Sequence, residues 1–252
     1  MKIILSPAKK MKVVDSNWIV PTKPALIDES KKILDYLKSL SLPELKDIWL
    51  CSDKLASKSY LELSRLNLDN LQSPAILSYD GIAYTYMAPS IFDGDMYNYI
   101  NENLYILSAL FGALKPSDGV MPYRLEMQAK FEFLTFNNLY DFWGDKIYKL
   151  IHPSDGIIIN LASKEYSDAV RPFISSSDRF IDINFVESVN NKLVTKATFA
   201  KMARGEMVRY MAEMHSKDPE DIKTFDRLGY VFREDLSSET EYVFERREGK
   251  QT

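Results

Sequence analysis

Short apolar runs recur along the chain and predict the strands of a sheet. Residues 156–161 form a continuous run rich in β-branched side chains, which is typical of a strand buried on both faces. Residues 3–5 form a shorter apolar run, which ends before Pro7 because proline has no backbone donor for a ladder. Further strands are predicted over residues 74–79, 104–110 and 179–186, the last followed by a turn at Asn190 and Asn191.

Apolar positions spaced three or four apart predict amphipathic helices between these strands. Helices are predicted over residues 27–40, 42–51, 58–66, 92–101, 137–151 and 197–214. Ser41 and Glu44 carry the signature of a capping box, and Ser57 is a candidate cap for the third helix. Residues 82–87 suit a strand face or a loop, and residues 230–232 with 242–244 predict a hairpin. Strands and helices alternate to the end without a Gly/Ser linker, which predicts one mixed α/β domain over residues 1–252, with a central sheet flanked by helices.

Composition and charge exclude several classes of protein. The net charge is −4, so binding to nucleic acid requires a local basic patch rather than bulk charge. The chain has one cysteine, Cys51, and two histidines. These residues are too few for an intramolecular disulfide or for a zinc site of cysteine and histidine ligands. A carboxylate metal site stays open, although no spaced cluster of acids indicates one. No run approaches the roughly 18–20 apolar residues of a membrane span, and the N-terminal run is too short for a signal peptide. We expect a cytoplasmic protein with no membrane contact, no cofactor and no metal site.

Polar residues follow two of the predicted strands at their C-terminal ends, where α/β sheets place ligands. Ser6, Lys9 and Lys10 follow the first strand, and Asn160 and Ser163 close the β-branched strand. Both groups also have a structural interpretation. The lysines suit a solvated turn, and the asparagine and serine can satisfy the backbone of their own turn.

The stretch Met-Pro-Tyr-Arg-Leu-Glu-Met at residues 121–127 is the strongest candidate site. It follows the 104–110 strand through a loop and places Tyr123, Arg124 and Glu126 within four positions. Loops carry sites when a rigid element positions them. The alternative is a surface ion pair between the arginine and the glutamate, which contributes roughly 0–1 kcal/mol. We interpret the stretch as a site in which the arginine suits either an anion-binding or a DNA-binding cleft; if the protein is an enzyme, Tyr123 or Glu126 would transfer a proton.

Two helical segments carry further candidate cations. On the 197–214 helix, Lys201 and Arg204 lie opposite the expected core face, beside Gly205, and form either a phosphate contact or a solvated basic face. Residues 43–66 predict two helices and a tight turn, with Lys54 and Lys58 near the second N-terminus. Unpaired N–H groups and the helix dipole favour anions there. The segment is either a helix-hairpin-helix element that binds DNA or a helical hairpin packed on the core.

Seven short motifs occur in order: LSPAK at 5–9, SDKLA at 52–56, LSALFG at 107–112, PYRLEM at 122–127, FWGD at 142–145, NLAS at 160–163 and KMARG at 201–205. In this order and at these spacings they resemble the YaaA family of peroxide-stress proteins, from residue 3 to about 247. The resemblance implies a cytoplasmic bacterial protein that protects against hydrogen peroxide by keeping unincorporated iron low. It also implies a single-domain mixed α/β fold, binding of duplex DNA, a helix-hairpin-helix element over 43–66 and a basic cleft formed by Lys9, Lys10, Arg124, Lys201 and Arg204.

Two functions stay open at this stage. The first is non-specific binding of duplex DNA, through phosphate contacts from the lysines and arginines of the cleft. The second is an enzyme acting on a nucleotide or another small anion in the same cleft, with Ser6, Tyr123 and Glu126 as its reactive groups. Glu126 favours the enzyme, because a carboxylate repels phosphate unless a cation neutralises it. Direct iron sequestration is disfavoured by the few cysteine and histidine ligands.

Overall fold

The computed structural model describes residues 1–130, 132, 135–190 and 192–247. The strands are β1 (Lys2–Leu5), β2 (Lys10–Met11), β3 (Ser73–Pro74), β4 (Tyr79–Asp80), β5 (Leu104–Ser108), β6 (Gly112–Leu114), β7 (Gly119–Val120), β8 (Ile157–Leu161), β9 (Arg179–Val189), β10 (Lys192–Val194), β11 (Tyr230–Phe232) and β12 (Glu241–Arg246). The helices are α1 (Ile27–Ser39), α2 (Leu42–Trp49), α3 (Asp53–Arg65), α4 (Ala75–Ser78), α5 (Ile82–Met87), α6 (Gly94–Asn103), α7 (Leu139–Trp143), α8 (Lys146–Ile151), α9 (Lys164–Ser167) and α10 (Ala197–Met214). Short 3₁₀ turns cover Pro89–Ile91, Arg171–Phe173, Pro219–Thr224, Arg227–Gly229 and Glu234–Leu236.

The central sheet has the strand order β11-β12-β9-β8-β1-β5-β6, with β10 paired to β9 outside this path. The neighbours among β5, β1, β8, β9 and β12 run parallel, whereas β6, β10 and β11 pair antiparallel. In the middle of the sheet, Ile4 of β1 lies opposite Tyr105 of β5 on one side and Asn160 of β8 on the other. The chain passes from β1 to β5 on one side of it and later to β8 on the other side. The switch point of the sheet therefore lies at the C-terminal end of β1. The predicted mixed α/β architecture is confirmed.

Apolar sequence explains why β1, β5 and β8 occupy the centre. Ile3, Ile4 and Leu5 are almost completely buried, as is every residue of β5. Parallel strands covered on both faces need such continuous apolar runs. The predicted strands at 104–110 and 179–186 and the C-terminal hairpin are confirmed by β5, β9 and the β11–β12 pair. Asn190 has a positive φ of 51°, as a turn requires, and Asn191 lies outside the described residues.

Helix α10 has the predicted bounds, but its predicted core face is wrong in part. Gly205 and Val208 are buried, whereas Met214 is 58% exposed. The cause is α5, which crosses α10 so closely that a Cβ on Gly205 would lie 1.9 Å from the carbonyl oxygen of Ala83. The backbone at Gly205 therefore contacts helix α5 and is not open to a ligand.

Three other predicted elements differ from the structure. The helix expected over 137–151 is two helices, α7 and α8, because Gly144 between them has a φ of 48°. Residues 75–78 form the single helical turn α4 and not a strand, because the N–H of Ala75 bonds to the carbonyl of Asp118 at 2.8 Å and α4 packs on that loop. Residues 82–87 form helix α5, which buries Tyr84 and Met87.

The helical hairpin formed by α2 and α3 has a turn of three residues. Its first helix begins with the expected capping box, in which the Glu44 carboxylate accepts from the Ser41 N–H at 2.8 Å. Its second helix begins at Asp53, directly after Ser52, and so starts earlier than predicted. Leu50 takes the left-handed conformation at the turn, with a φ of 45°. The hairpin exists, but its assignment as a helix-hairpin-helix DNA element stays a prediction.

Among the described residues, none of the helices combines the length and apolar character needed to cross a membrane.

Candidate anion-binding cavity

A cavity of about 550 Å³ opens at the C-terminal ends of β1 and β8. That volume lies in the usual range for a site that binds one small molecule, about 300–1,000 Å³. Four basic and three acidic side chains line it: Lys9, Lys10, Lys201, Arg204, Asp80, Glu126 and Glu165. The cavity lies at the switch point of the sheet, where open α/β sheets place their ligands.

Ser6 and Ser163 join the two strand ends at the base of this cavity. The hydroxyl oxygens lie 3.1 Å apart, and the Ser163 N–H donates to Ser6 Oγ at 2.8 Å. Tyr84 Oη on α5 donates to the Ser6 carbonyl at 3.0 Å. Because β1 and β8 are parallel neighbours, their C-terminal ends bring these serines together across 157 positions of sequence. The pair offers hydroxyl groups in fixed positions to a bound ligand.

Glu126 bridges two cations on one side of the cavity. Its Oε2 accepts from Lys9 Nζ at 2.7 Å, and its Oε1 accepts from Arg124 Nη2 at 3.3 Å. The Glu126 and Arg124 side chains are only 21% and 14% exposed, while Lys9 is 67% exposed. The ion pair between Arg124 and Glu126 is present, but it is largely buried, with Glu126 at the cavity and Arg124 at the small cleft beside it.

Glu165 is the second carboxylate of the cavity wall, on the first turn of α9. Its Oε1 accepts from the Met127 N–H at 3.1 Å and, at longer range, from the N–H of Gln128. Burial raises the pKa of Glu165 above its ordinary value, and the nearby charge of Glu126 adds to the increase, while Lys9 opposes it. The two carboxylates therefore have different environments, one paired with cations and one desolvated.

Arg204 projects from α10 into the cavity without an acidic partner. Its guanidinium makes no hydrogen bond or ion pair with the described residues, and its Nε is buried. Burial lowers the pKa of Arg204, although arginine stays charged in proteins. Lys201, one turn earlier, is exposed at the cavity mouth. An enclosed, unpaired guanidinium is costly unless an anion neutralises it.

Tyr123 lies beneath the cavity and not on its open surface. Its hydroxyl lies 3.0 Å from Tyr79 Oη and 2.7 Å from Ser108 Oγ, and Ser108 in turn accepts from the N–H of Phe111. Burial raises the pKa of Tyr123, so the phenol stays protonated. This buried chain of hydroxyls supports the loop that carries Arg124 and Glu126, and a small cleft of about 20 Å³ reaches Tyr123.

The structure places three sequence-predicted residues away from the cavity. Asn160 accepts from the N–H of Ala162 at 2.9 Å and donates to Asp182 at 2.7 Å, so it satisfies its own turn and the next strand. Lys54 and Lys58 are exposed on α3, which does not line the cavity. The remaining candidates of the sequence analysis all lie at the cavity or at the small cleft beside it.

Glu165 and Asp80 are site residues that sequence reasoning missed. Glu165 lies two positions after Ser163 in the same strand-to-helix turn, which is the signal that pointed to its neighbour. Asp80 ends β4, and β4 pairs with β2 beside Lys10. Neither acid has a distinctive motif, and their burial and partners come from loops that meet only in the folded chain. Among the described residues, no group of three or more His, Cys, Asp or Glu side chains is placed to hold a metal ion.

The fold and the cavity define a mixed α/β protein whose candidate ligand site lies at the switch point of a mostly parallel sheet. The family described as peroxide stress protein YaaA matches residues 1–236, and the chain belongs to this family. A UPF0246 protein of Agathobacter rectalis is 54% identical over 98% of this chain and 99% of its own length. Others from Lachnoclostridium phytofermentans and Pediococcus pentosaceus are 47% and 46% identical, each over 97% of this chain and 96–97% of their own length. The resemblance seen in the sequence motifs is confirmed.

Proposed function

We propose that this protein acts in defence against hydrogen peroxide and that its working site is the cavity, which binds a small phosphate-bearing ligand such as a nucleotide. The observation that carries the proposal is Arg204, a guanidinium enclosed in a nucleotide-sized cavity without an acid partner among the described residues. A planar guanidinium matches the oxygens of a phosphate with two parallel hydrogen bonds.

The remaining lining supports the same ligand class. Lys201 and Lys10 add positive charge at the mouth, and the two serine hydroxyls at the strand ends supply neutral hydrogen-bonding groups. Tyr84 and Tyr166 give the cavity aromatic wall area against which a base or a sugar can pack. The carboxylate pair supplies groups able to transfer protons, so an enzymatic role fits this lining.

Calorimetric titration with AMP and with inorganic phosphate tests the proposal. Wild-type protein should bind, and Arg204→Gln should weaken binding at least about tenfold, because a charge-assisted hydrogen bond contributes about 1.5–3 kcal/mol. Arg65→Gln is the matched control, since Arg65 is exposed on α3 and the change in net charge is the same. No binding by the wild type, or equal binding by both variants, would contradict the proposal.

A second candidate, binding of duplex DNA, has a specific observation in its favour. Lys10 and Lys201 are exposed on the rim of the cavity and form no ion pair with the described residues. A duplex is too wide for a cavity of about 550 Å³, so its phosphates would meet only this rim. The double variant Lys10→Gln/Lys201→Gln should reduce the slope of log affinity against log salt by about two. Arg204→Gln should leave the slope unchanged, and the reverse result would contradict binding of DNA at this rim.

The cellular part of the proposal has its own test. In cells that lack the endogenous family member, the wild-type gene should restore survival in hydrogen peroxide and lower the chelatable iron measured by electron paramagnetic resonance. Arg65→Gln should restore both, and Arg204→Gln should restore neither. Rescue by Arg204→Gln would show that the stress role does not depend on the cavity. Failure of the wild type to restore survival would refute the stress role itself.

A further inference from the structure

Two of the three carboxylates of the cavity, Glu126 and Glu165, have contrasting electrostatic surroundings. Glu126 contacts the ammonium of Lys9 and the guanidinium of Arg124, at 2.7 Å and 3.3 Å. Among the described residues, Glu165 forms no ion pair, although the charge of Lys9 acts on it from further away, and its side chain accepts from the backbone N–H groups of Met127 and Gln128. Pairs of titratable groups in contrasting environments are the usual arrangement of an acid and a base in one site. An anion entering this cavity therefore meets one carboxylate that is already neutralised by cations and one that is not.

We propose that Glu165 is the proton-carrying group of the cavity, so that an anionic ligand binds together with one proton that resides on Glu165. This inference rests on the proposed function, since it assigns the proton in the same anion-binding cavity. It goes beyond that function because it names the group that would act as the general acid.

The contacts of Glu165 explain why the proton would go there. Its Oε1 is fixed by the Met127 N–H, while Oε2 makes no hydrogen bond with the described residues. Burial already raises the pKa of this carboxyl in the unliganded cavity. A second anion nearby destabilises the ionised form further, because like charges in a low-dielectric site repel. Glu126 differs from Glu165 in its contacts, since each of its two oxygens already accepts from a cation.

The titratable groups that act on Glu165 or line the same cavity come from several elements and include both signs of charge. They are Lys9 and Lys10 after β1, Asp80 of β4, Glu126 of the 121–127 loop, Tyr140 of α7, Tyr166 of α9, and Lys201 and Arg204 of α10. The two tyrosines have their pKa values raised by burial, so they stay neutral in the range where a carboxyl titrates. Arg204 stays charged there, because arginine keeps its proton in proteins.

The linkage has a definite sign. Ligand binding raises the pKa of Glu165 above its value in the free protein, so affinity is highest below the free-protein pKa. Affinity falls as pH rises through the interval between the free and bound pKa values, and it levels off above that interval. Each unit by which the ligand raises the pKa corresponds to about a tenfold loss of affinity across the interval.

Inorganic sulfate is the probe for the test, because it stays a dianion across the pH range in which Glu165 titrates. Calorimetry in two buffers of different ionisation enthalpy, between pH 5 and 8, counts the protons taken up with each sulfate. We expect uptake approaching one proton for wild type and none for Glu165→Gln, whose affinity should not depend on pH. Glu126→Gln should still take up a proton, although it is expected to bind sulfate differently.

The outcomes separate the inference from the function on which it rests. Failure of the wild type to bind sulfate at any pH would refute the anion-binding cavity itself. Sulfate binding without proton uptake, or uptake that persists in Glu165→Gln, would overturn the role of Glu165 and leave the cavity in place. Uptake that is lost only in Glu126→Gln would assign the proton to Glu126 and also overturn it.

A second measurement does not depend on affinity. In protein labelled at the side-chain carboxyl carbon of glutamate, the Glu165 signal is assigned by its absence from Glu165→Gln. Its titration by carbon NMR should give a pKa above the ordinary value of about 4.3 in free protein and a higher one with saturating sulfate. A pKa that sulfate leaves unchanged would contradict the inference.

Discussion

Arg204→Met should stabilise the free protein while removing its anion site. In the free protein the buried Nε of Arg204 has no partner among the described residues, and an unsatisfied buried donor costs about 1–3 kcal/mol. Methionine keeps much of the apolar stem and has no donor. Since part of the guanidinium reaches the water of the cavity, we expect a gain near the lower limit, about 1 kcal/mol. For a chain of 252 residues that corresponds to a rise in Tm of about 2–4 °C.

Urea unfolding followed by circular dichroism measures this change, with Arg65→Met as the control. The control removes an exposed arginine and should stay within about 0.5 kcal/mol of wild type. Saturating sulfate should reverse the order, because a ligand at one hundred times its Kd stabilises the wild type by about 2.7 kcal/mol. If Arg204→Met instead lowered the free energy of unfolding by 1 kcal/mol or more without ligand, the guanidinium would have a favourable partner and our reasoning would be refuted.

Three further predictions concern packing, the buried hydroxyl chain and pH. Gly205→Ala should destabilise the protein by about 3 kcal/mol or prevent folding, because the new Cβ would lie 1.9 Å from the Ala83 oxygen, whereas Gly94→Ala, with open space around it, should be close to neutral in the same urea assay. Tyr123→Phe should cost about 1–3 kcal/mol by leaving two buried hydroxyl partners without their hydrogen bond, and an unchanged urea midpoint would contradict that chain. The folded protein binds the Glu165 proton more tightly than the unfolded chain, so the stability of wild type should fall relative to Glu165→Gln as pH rises above about 4.3. Parallel pH profiles for the two proteins would show that Glu165 has an ordinary pKa.

The sequence predicted the centre of the fold because that part depends on local pattern. Continuous apolar runs identified β1, β5 and β8, and parallel strands bring their C-terminal ends to the same edge. The sequence placed Ser6 and Ser163 after the ends of such strands, and the structure shows that they lie together. The bounds of α10 also followed from periodicity, because the helix has eighteen residues and no proline. Over that length the helical spacing repeats through several turns.

The details of the site could not be predicted, because they depend on contacts between loops. The bond between Lys9 and Glu126 joins residues 117 positions apart, and no period or motif records that distance. Gly144 and Gly205 look equivalent in sequence, yet they act differently. Gly144 ends a helix through its positive φ, whereas the missing side chain of Gly205 lets the backbone of Ala83 approach closely. Glu165 differs from a surface acid only through its burial, which the folded chain alone determines.

The close crossing of α5 and α10 has a consequence for ligand size. Two walls of the cavity come from these two helices, with Tyr84 and Thr85 on one and Lys201 and Arg204 on the other. Where they cross, Gly205 meets the carbonyl of Ala83, so main chain limits how near the two walls approach. Side chains can rotate to admit a bulkier ligand, but main-chain atoms that are in contact cannot. The main-chain contact between α5 and α10 therefore fixes the distance between these two walls of the cavity. A ligand of a different size would require the helices themselves to move apart.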